Sequence, residues 1–338
     1  MKKRICSFLV LLMLLFSLVS CADSPKPRAR SLYDYFNTVI TVSDYSGLSD
    51  GEFEELLALV SNEYLEYHRL YDIYNGYDGI NNLETLNSAG GEWVELDGRI
   101  TDLLSYGKQM YGLTGGAVNI AMGAVLSIWH RHRTAGLSKP ETATLPDAAE
   151  LSAAAEHCDI NNIEIDTEGG RARLRDSALR VDVGAIAKGY ATEKIAQLLE
   201  ERGYTGVVLN AGGNVRIVGS KPDGKGFSVG IENHDRTVGG YAFVLTLADT
   251  AVVTSGAYQR YYTVDGKRYG HIIDGETLMP AENFASVSIT VKDSALADAL
   301  STALFIMSYE DGRALIETID GADAYWVMLD GSKITTKE

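Results

Sequence analysis

The 338 residues contain only three cysteines, three tryptophans and six prolines. An excess of positive charge is also missing: 30 Lys and Arg stand against 46 Asp and Glu, a net charge of −16. That balance excludes a protein that holds nucleic acid through a basic surface, because phosphate contacts need clustered Lys and Arg. It opposes loose adsorption to anionic lipid for the same reason. Any anionic ligand then needs a local device: a helix N-terminus, a glycine-rich loop or a metal ion. No internal repeat is visible, and no low-complexity tract follows residue 31. With 46% hydrophobic and 22% charged residues the chain should fold.

What is present begins with an address. Lys2, Lys3 and Arg4 precede an apolar run over residues 5–18, broken by Cys6, Ser7 and Ser17. A membrane-spanning helix needs about 20 such residues, so the run suits a secretory signal instead. LVSC at 18–21 looks like a bacterial lipobox: cleavage before Cys21 would free its amine, and its thiol would carry diacylglycerol. An ordinary signal peptide with an incidental cysteine is the alternative. The expected organisation is a lipoprotein signal peptide at 1–20, lipidated Cys21 and a polar tether at 21–31, and one domain at 32–338. The expected location is the cell membrane, lipid-anchored and extracytoplasmic. Removing residues 1–20 takes away three cations and no anions, leaving 27 basic against 46 acidic residues and a net charge of −19. Cys158 is then the only cysteine besides Cys21, so no intramolecular disulfide forms; it reads as a structural thiol.

The β-branched run TVITV at 38–42 predicts a strand. Ser49 and Glu52 form a capping box for a helix to Tyr71, where Phe53, Leu56, Leu57, Val60, Tyr64 and Leu65 recur at three and four. Helices are expected at 101–111 and from Pro146 to Cys158. Short strands are expected at 163–166, 171–174 and 179–183, then a helix at 187–202 closed by Gly203. Strands at 206–209, 214–218, 227–231 and 241–247 follow. Asp265-Gly266 is a hairpin turn between two more. A strand at 285–291, helices at 293–307 and 310–319, and a closing strand at 325–329 complete the pattern. No βαβ alternation runs throughout, so the fold class is α+β, one intertwined globule.

Four segments carry candidate chemistry. DVGAIAKG at 182–189 puts a carboxylate, glycines and Lys188 at a strand-to-helix junction, where free amides favour a phosphate; a plain tight turn is the alternative. LNAGGN at 209–214 offers adjacent glycines for close approach of a ligand, or a hairpin turn. VTSGAY at 253–258 precedes the hairpin, and GHIID at 270–274 follows it. His271 and Asp274 there suit proton transfer or ligand contact, or a structural role. The other five histidines form no convincing constellation; His130 and His132 at i,i+2 do not converge on one metal. DSALADALSTA at 293–303 places Asp298 in an otherwise small and apolar helix, with Thr302 one turn later on the same face. A buried lone carboxylate is expensive and needs a partner. Asp298 and Thr302 with a carbonyl from elsewhere would suit Mg²⁺; Asp298 capping a neighbouring loop is the other reading.

Together these segments resemble the ApbE family, the FAD:protein FMN transferases, over about residues 31–326. FNTV at 36–39 looks like its opening strand motif. The run from Ala117 to His130, ending in LSIWH, is similar to its flavin-pocket segment. DVGAIAKGYA, NAGGN, TSGAY, HIID and ADALSTA follow in the family's order. The resemblance implies a T-fold-like α+β core, with FAD at a cleft and Mg²⁺ beside its diphosphate. It implies Asp298 and Thr302 as metal ligands, joined by the Ala185 carbonyl, and Asp182 and Lys188 as FAD contacts. Phe36, Tyr74 and the segment Ala121, Met122 and Gly123 would line the flavin or adenine site. The shared motifs add Gly212, Gly213, Thr254, Ser255, Gly256 and Ile273 to the FAD site. His271 would be catalytic. Family members usually continue HIID as Pro-x-Thr-Gly-x-Pro, whereas residues 275–280 here read GETLMP. Gly270 stands where many members have a second histidine, and Ser301 where some carry a further acidic ligand.

The implied activity is Mg²⁺-dependent transfer of FMN from FAD to a Thr or Ser hydroxyl of an acceptor protein, with release of AMP. Membrane redox subunits are among the expected acceptors. The metal also explains how so acidic a chain takes an anionic ligand. The alternatives are an FAD pyrophosphatase, in which water replaces the protein hydroxyl, and a lipoprotein that binds FAD without chemistry.

Overall fold

Ser49 caps the first helix reciprocally: its side chain accepts the Glu52 N–H, and the Glu52 carboxylate accepts the Ser49 N–H at 2.8 Å. A computed structural model describes residues 27–233, 239–258 and 260–337. In it the capped helix is α1 (Asp50–Tyr71). Among the described residues α2 (Leu83–Ser88), α3 (Gly98–Leu113), α4 (Gly123–Ser138) and α5 (Ala148–Ala155) follow, then α6 (Ala187–Glu201), α7 (Ser294–Ile306) and α8 (Tyr309–Ile316). The strands are β1 (Arg28–Tyr35), β2 (Thr38–Asp44), β3 (Val94–Glu95), β4 (Ile163–Asp166) and β5 (Arg171–Leu174). After them come β6 (Val207–Ala211), β7 (Asn214–Val218), β8 (Phe227–Glu232), β9 (Tyr241–Leu247) and β10 (Ala251–Gly256). The last are β11 (Tyr261–Val264), β12 (Lys267–Gly270), β13 (Ser286–Val291), β14 (Asp323–Val327) and β15 (Lys333–Thr335).

Eight strands make one antiparallel sheet in the order β1-β2-β6-β7-β10-β13-β14-β15. Alternation along them assigns two faces. Val207, Leu209, Ala251, Val253, Val287 and Ile289 point into the main core, against which α1, α6 and α7 pack. Val252, Tyr325 and Val327 point the other way, under Ile231, Ala242 and Leu245 of the β8–β9 hairpin. A smaller core joins Val125, Ile128 and Trp129 of α4 to Tyr262 and Ile273. The β11–β12 hairpin turns through Asp265 (φ 49°) and Gly266 (φ 80°), the left-handed pair that its two-residue loop demands. The architecture is α+β, as expected.

Three expectations need correction. Residues 179–183 form no strand, only a bridge between Arg180 and Met122. Their backbone is satisfied otherwise: Asn87 donates to the Val181 carbonyl and accepts its N–H, and the Asp182 N–H reaches the Ile120 carbonyl. The tether does not extend to Ser31, because Arg28–Ser31 already pair with Thr41–Asp44 in the sheet. The strand expected to close the chain, β14, is followed by β15. The signal peptide at 1–20 and Cys21 lie outside the described residues, as does His234. Among the described residues no helix is long and apolar enough to cross a membrane.

Candidate active site

Asp293 starts one wall by capping α7, its side chain accepting the Ala295 and Leu296 N–H groups at 2.7 and 3.0 Å. The small residues of α7 let it sink against the sheet, and Asp298 is 5% exposed. The partner that its burial requires comes from the first turn of α6. The Gly189 N–H donates to Asp298 Oδ2 at 2.8 Å, and Lys188 Nζ stands 3.5 Å from the same oxygen. Only glycine permits this approach: a Cβ at 189 would run into the Asp298 side chain and lie 2.5 Å from the Ser294 carbonyl. Three hydroxyls gather beside the carboxylate. Ser301 Oγ donates to the Asp298 carbonyl at 3.0 Å, and Ser255 Oγ of β10 lies 2.9 Å from it and 3.4 Å from Thr302 Oγ1.

A second wall carries His271, directly after β12. Its Nδ1 lies 3.2 Å from the Arg260 carbonyl. A carbonyl only accepts, so Nδ1 bears the proton and Nε2 keeps its lone pair. Burial first, then the Arg260, Arg133 and Lys188 cations, push the imidazole pKa down to about 4, against the smaller pull of the Arg260 carbonyl. The loop after His271 is closed by Asp274, which accepts the Glu276 N–H and the Thr277 hydroxyl, and is pinned by Trp129 Nε1–H on the Leu278 carbonyl at 2.9 Å.

The third wall is α4 with the segment before α6. His130 Nδ1 accepts from Arg133 Nη2 at 3.0 Å, and the His130 ring stacks on Tyr74 with centroids 5.2 Å apart. Burial and the Arg133 charge lower the His130 pKa. Burial raises that of Asp182, which the Gly184 N–H at 2.8 Å, then His130 and Arg133, partly offset.

These walls enclose a cavity of about 430 Å³. It is lined by Tyr74, Met122, Asp182, Ala185, Lys188 and Gly212, and by Thr254, Ser255, Gly256, His271, Ile273, Asp298 and Thr302. The four separate motifs thus converge. Four other residues expected at the site do not line it. Phe36 packs edge-on against Tyr64 and His68, Ala121 is fully buried, Gly123 begins α4 against the Arg180 carbonyl, and Gly213 sits exposed in the β6–β7 turn. The reading that left His130 without a constellation is corrected, since it lines the cavity with Arg133 and Arg260. The i,i+3 spacing of His130 and Arg133 on one helix face was the available signal; Arg260 gave none.

The cavity groups beside Asp298 that could ligate a metal, Thr302, Ser255 and the Ala185 carbonyl, offer oxygen, and among the described residues no three His, Cys, Asp or Glu could hold a metal together. That set fits a hard cation that completes its shell with water and substrate phosphate, rather than one caged by protein alone.

Comparison with known proteins identifies the family. A model of the ApbE family matches residues 36–326. A relative from Treponema pallidum named FAD:protein FMN transferase is 34% identical over 263 residues, covering 73% of this chain and 71% of the relative. Another of that name, from Rhodobacter capsulatus, is 28% identical over 326 residues. This chain is 95% covered there but spans only 59% of that relative, less than two thirds of its length. The crystal structure of the ApbE protein from Thermotoga maritima aligns with a TM-score of 0.79 at 27% identity, covering 92% of this chain and 97% of that one. The family match takes in every residue that lines the cavity, from Thr38 to Ile306, and the chain belongs to the ApbE family.

Proposed function

We propose that this protein transfers FMN from FAD to the hydroxyl of a Thr or Ser on an acceptor protein, releasing AMP. The observation that carries the reading is the His271 imidazole, its Nδ1 on the Arg260 carbonyl and its Nε2 left to accept a proton, in the same cavity as the side-chain oxygens of Asp298, Thr302 and Ser255. The acceptor oxygen bonds to the flavin-side phosphorus of FAD. The bond from that phosphorus to the bridging oxygen breaks, AMP leaves with the electron pair, and the hydroxyl proton passes to His271 Nε2. A positioned base of this kind contributes roughly 10²–10⁴-fold.

Asp298, Thr302 and the Ala185 carbonyl would hold Mg²⁺, which when bound neutralises diphosphate charge. Lys188 attracts the same diphosphate from its fixed place in the first turn of α6. Asp182 orders the entry to α6 through the Gly184 N–H. Met122 and Ile273 supply apolar wall to the flavin, and Tyr74, 57% exposed, stands ready to cover it. Gly256 and Thr254 complete the strand side of the cavity.

We also place the protein at the outer face of a membrane, held by lipid on Cys21, with extracytoplasmic acceptors that include membrane redox subunits. Support for this comes from the sequence around residue 21. Cys21→Ser should move the protein to the soluble fraction.

The test of the activity is incubation with FAD, Mg²⁺ and a candidate acceptor, reading flavin fluorescence on the denatured acceptor together with AMP. Equal yields of AMP and labelled acceptor support the proposal. AMP with free FMN and an unlabelled acceptor would replace transfer by hydrolysis.

A further inference from the structure

The cavity holds more positive charge than its own protein neutralises. Lys188 has Asp298 at 3.5 Å. Arg133 and Arg260 have no carboxylate within ion-pair distance among the described residues. The Arg133 guanidinium meets His130 Nδ1 at 3.0 Å, and that of Arg260 meets the Asn37 carbonyl at 3.3 Å. Each has five N–H donors to satisfy. Several other arginines of this acidic chain are paired. Arg216, fully buried, has Glu193 at 3.0 Å, Glu200 at 2.7 Å and Asp249 at 3.3 Å. Arg99, Arg171 and Arg173 each have a carboxylate within 2.9 Å. Arg133 and Arg260 differ from the other arginines without an ion pair in that both line the cavity that holds His271. Arg133 is partly buried and gains from an anion supplied by a ligand, and the exposed Arg260 guanidinium can reach the same anion.

We infer that Arg133 and Arg260 form a clamp for the flavin-side phosphate, the group under transfer, held from walls other than the one that carries Asp298. This rests on the proposed transfer reaction for the identity of the phosphate. Three observations select that phosphate. Both guanidinium groups line the cavity with His271. The main chain of Arg260 orients the imidazole, so its side chain springs from the residue that aims the base. Arg260 and then Arg133 are also the leading charges acting on His271. A planar guanidinium matches two phosphate oxygens at once, and a pair of them can follow the charge that builds on those oxygens as the fifth bond to phosphorus forms.

The test needs no turnover. Binding of FMN, riboflavin and ADP is measured for the wild type and for Arg133→Gln and Arg260→Gln. FMN differs from riboflavin only by the phosphate in question. Each variant should lose FMN affinity by about 10- to 100-fold, the range of a charged hydrogen bond, while riboflavin and ADP bind as before. Arg133→Lys and Arg260→Lys should show smaller losses; they keep a donor for His130 and Asn37 and carry the test should the Gln variants fail to fold. An unchanged FMN-to-riboflavin ratio in the folded variants overturns the clamp. A loss that falls on ADP instead also overturns it and moves the arginines to the adenine side. If the wild type labels no acceptor yet the variants lose FMN selectively, the clamp stands and the transfer reading fails.

Discussion

The two sides of the cavity are built on opposite plans. Around Asp298 the named polar groups have internal partners: the carboxylate has Gly189 and Lys188, and Ser301 has the Asp298 carbonyl. Around Arg133 and Arg260 the cations are half-buried or exposed and have no carboxylate within ion-pair distance among the described residues, Asp182 acting on Arg133 only from farther off. Burial and the Arg260 charge even hold Arg133 below the ordinary arginine pKa. The first side is finished before ligand arrives and resists deformation. The second is completed only by an anion. A buried carboxylate must be secured at folding, whereas a cation in partial contact with water can wait for its substrate.

The largest break in this contrast should come from Asp298→Ala. Losing the Asp298 carboxylate should cut Mg²⁺-dependent transfer by on the order of 10³-fold, as several kcal/mol of lost charge stabilisation implies. The variant should remain folded, because alanine favours helix, but should lose about 1–3 kcal/mol as the buried Gly189 N–H is left without its acceptor. Wild-type rates across a magnesium titration would refute the metal assignment. Asp298→Asn keeps an acceptor for the Gly189 N–H and should recover stability but not activity.

His271→Ala should lower transfer by roughly 10²–10⁴-fold while FAD affinity and melting temperature stay put. Parallel loss of all three would mark a packing role instead. The pH profile sharpens the point. With a pKa near about 4, His271 is already a free base at pH 6.5, so the acid limb of the rate should fall near pH 4. Arg260→Gln removes the leading charge opposing the proton and should shift that limb upward. The linked effect on stability has a definite sign. As pH falls from about 6.5 toward 4, the unfolded chain takes up this proton before the folded one does, so the native state loses stability in that window.

Two smaller effects probe how each side is held. Gly189→Ala should cost about 1–3 kcal/mol by overpacking against α7, seen in urea midpoints, because the obstruction is backbone and a buried carboxylate. Trp129→Phe removes the donor on Leu278 and should cost about 1 kcal/mol. It should also raise the KM for acceptor more than that for FAD, since it frees the loop beside His271. An unchanged ratio of the two would separate that loop from acceptor docking.

Local signals were legible wherever one element supplied them. The Ser49–Glu52 box, the Asp265-Gly266 turn and the strands at 163–166 and 171–174 stand where their residues predict. Residues 179–183 carry a strand-like composition, yet Asn87, distant in sequence, takes the Val181 groups that a ladder would need. The site divides similarly. Asp298 betrayed itself as a carboxylate among alanines and leucines. Arg133 and Arg260 look like ordinary surface arginines, and only the fold shows that neither has an acid beside it. Phe36 was assigned to the flavin by motif, but its hairpin turns the ring onto Tyr64 and His68.

The contact between the His271 ring and the Arg260 carbonyl has a consequence for genetics. The atom that selects the tautomer belongs to the peptide, so every residue type at 260 still provides it. A complete substitution scan there would report the guanidinium and remain blind to the carbonyl. The Gly189 amide that holds Asp298 is hidden likewise, present in all variants except proline and felt only through size. Replacing the peptide that follows Arg260 with an ester, which weakens that carbonyl as an acceptor without altering a side chain, would expose a contribution that no mutant library can reach.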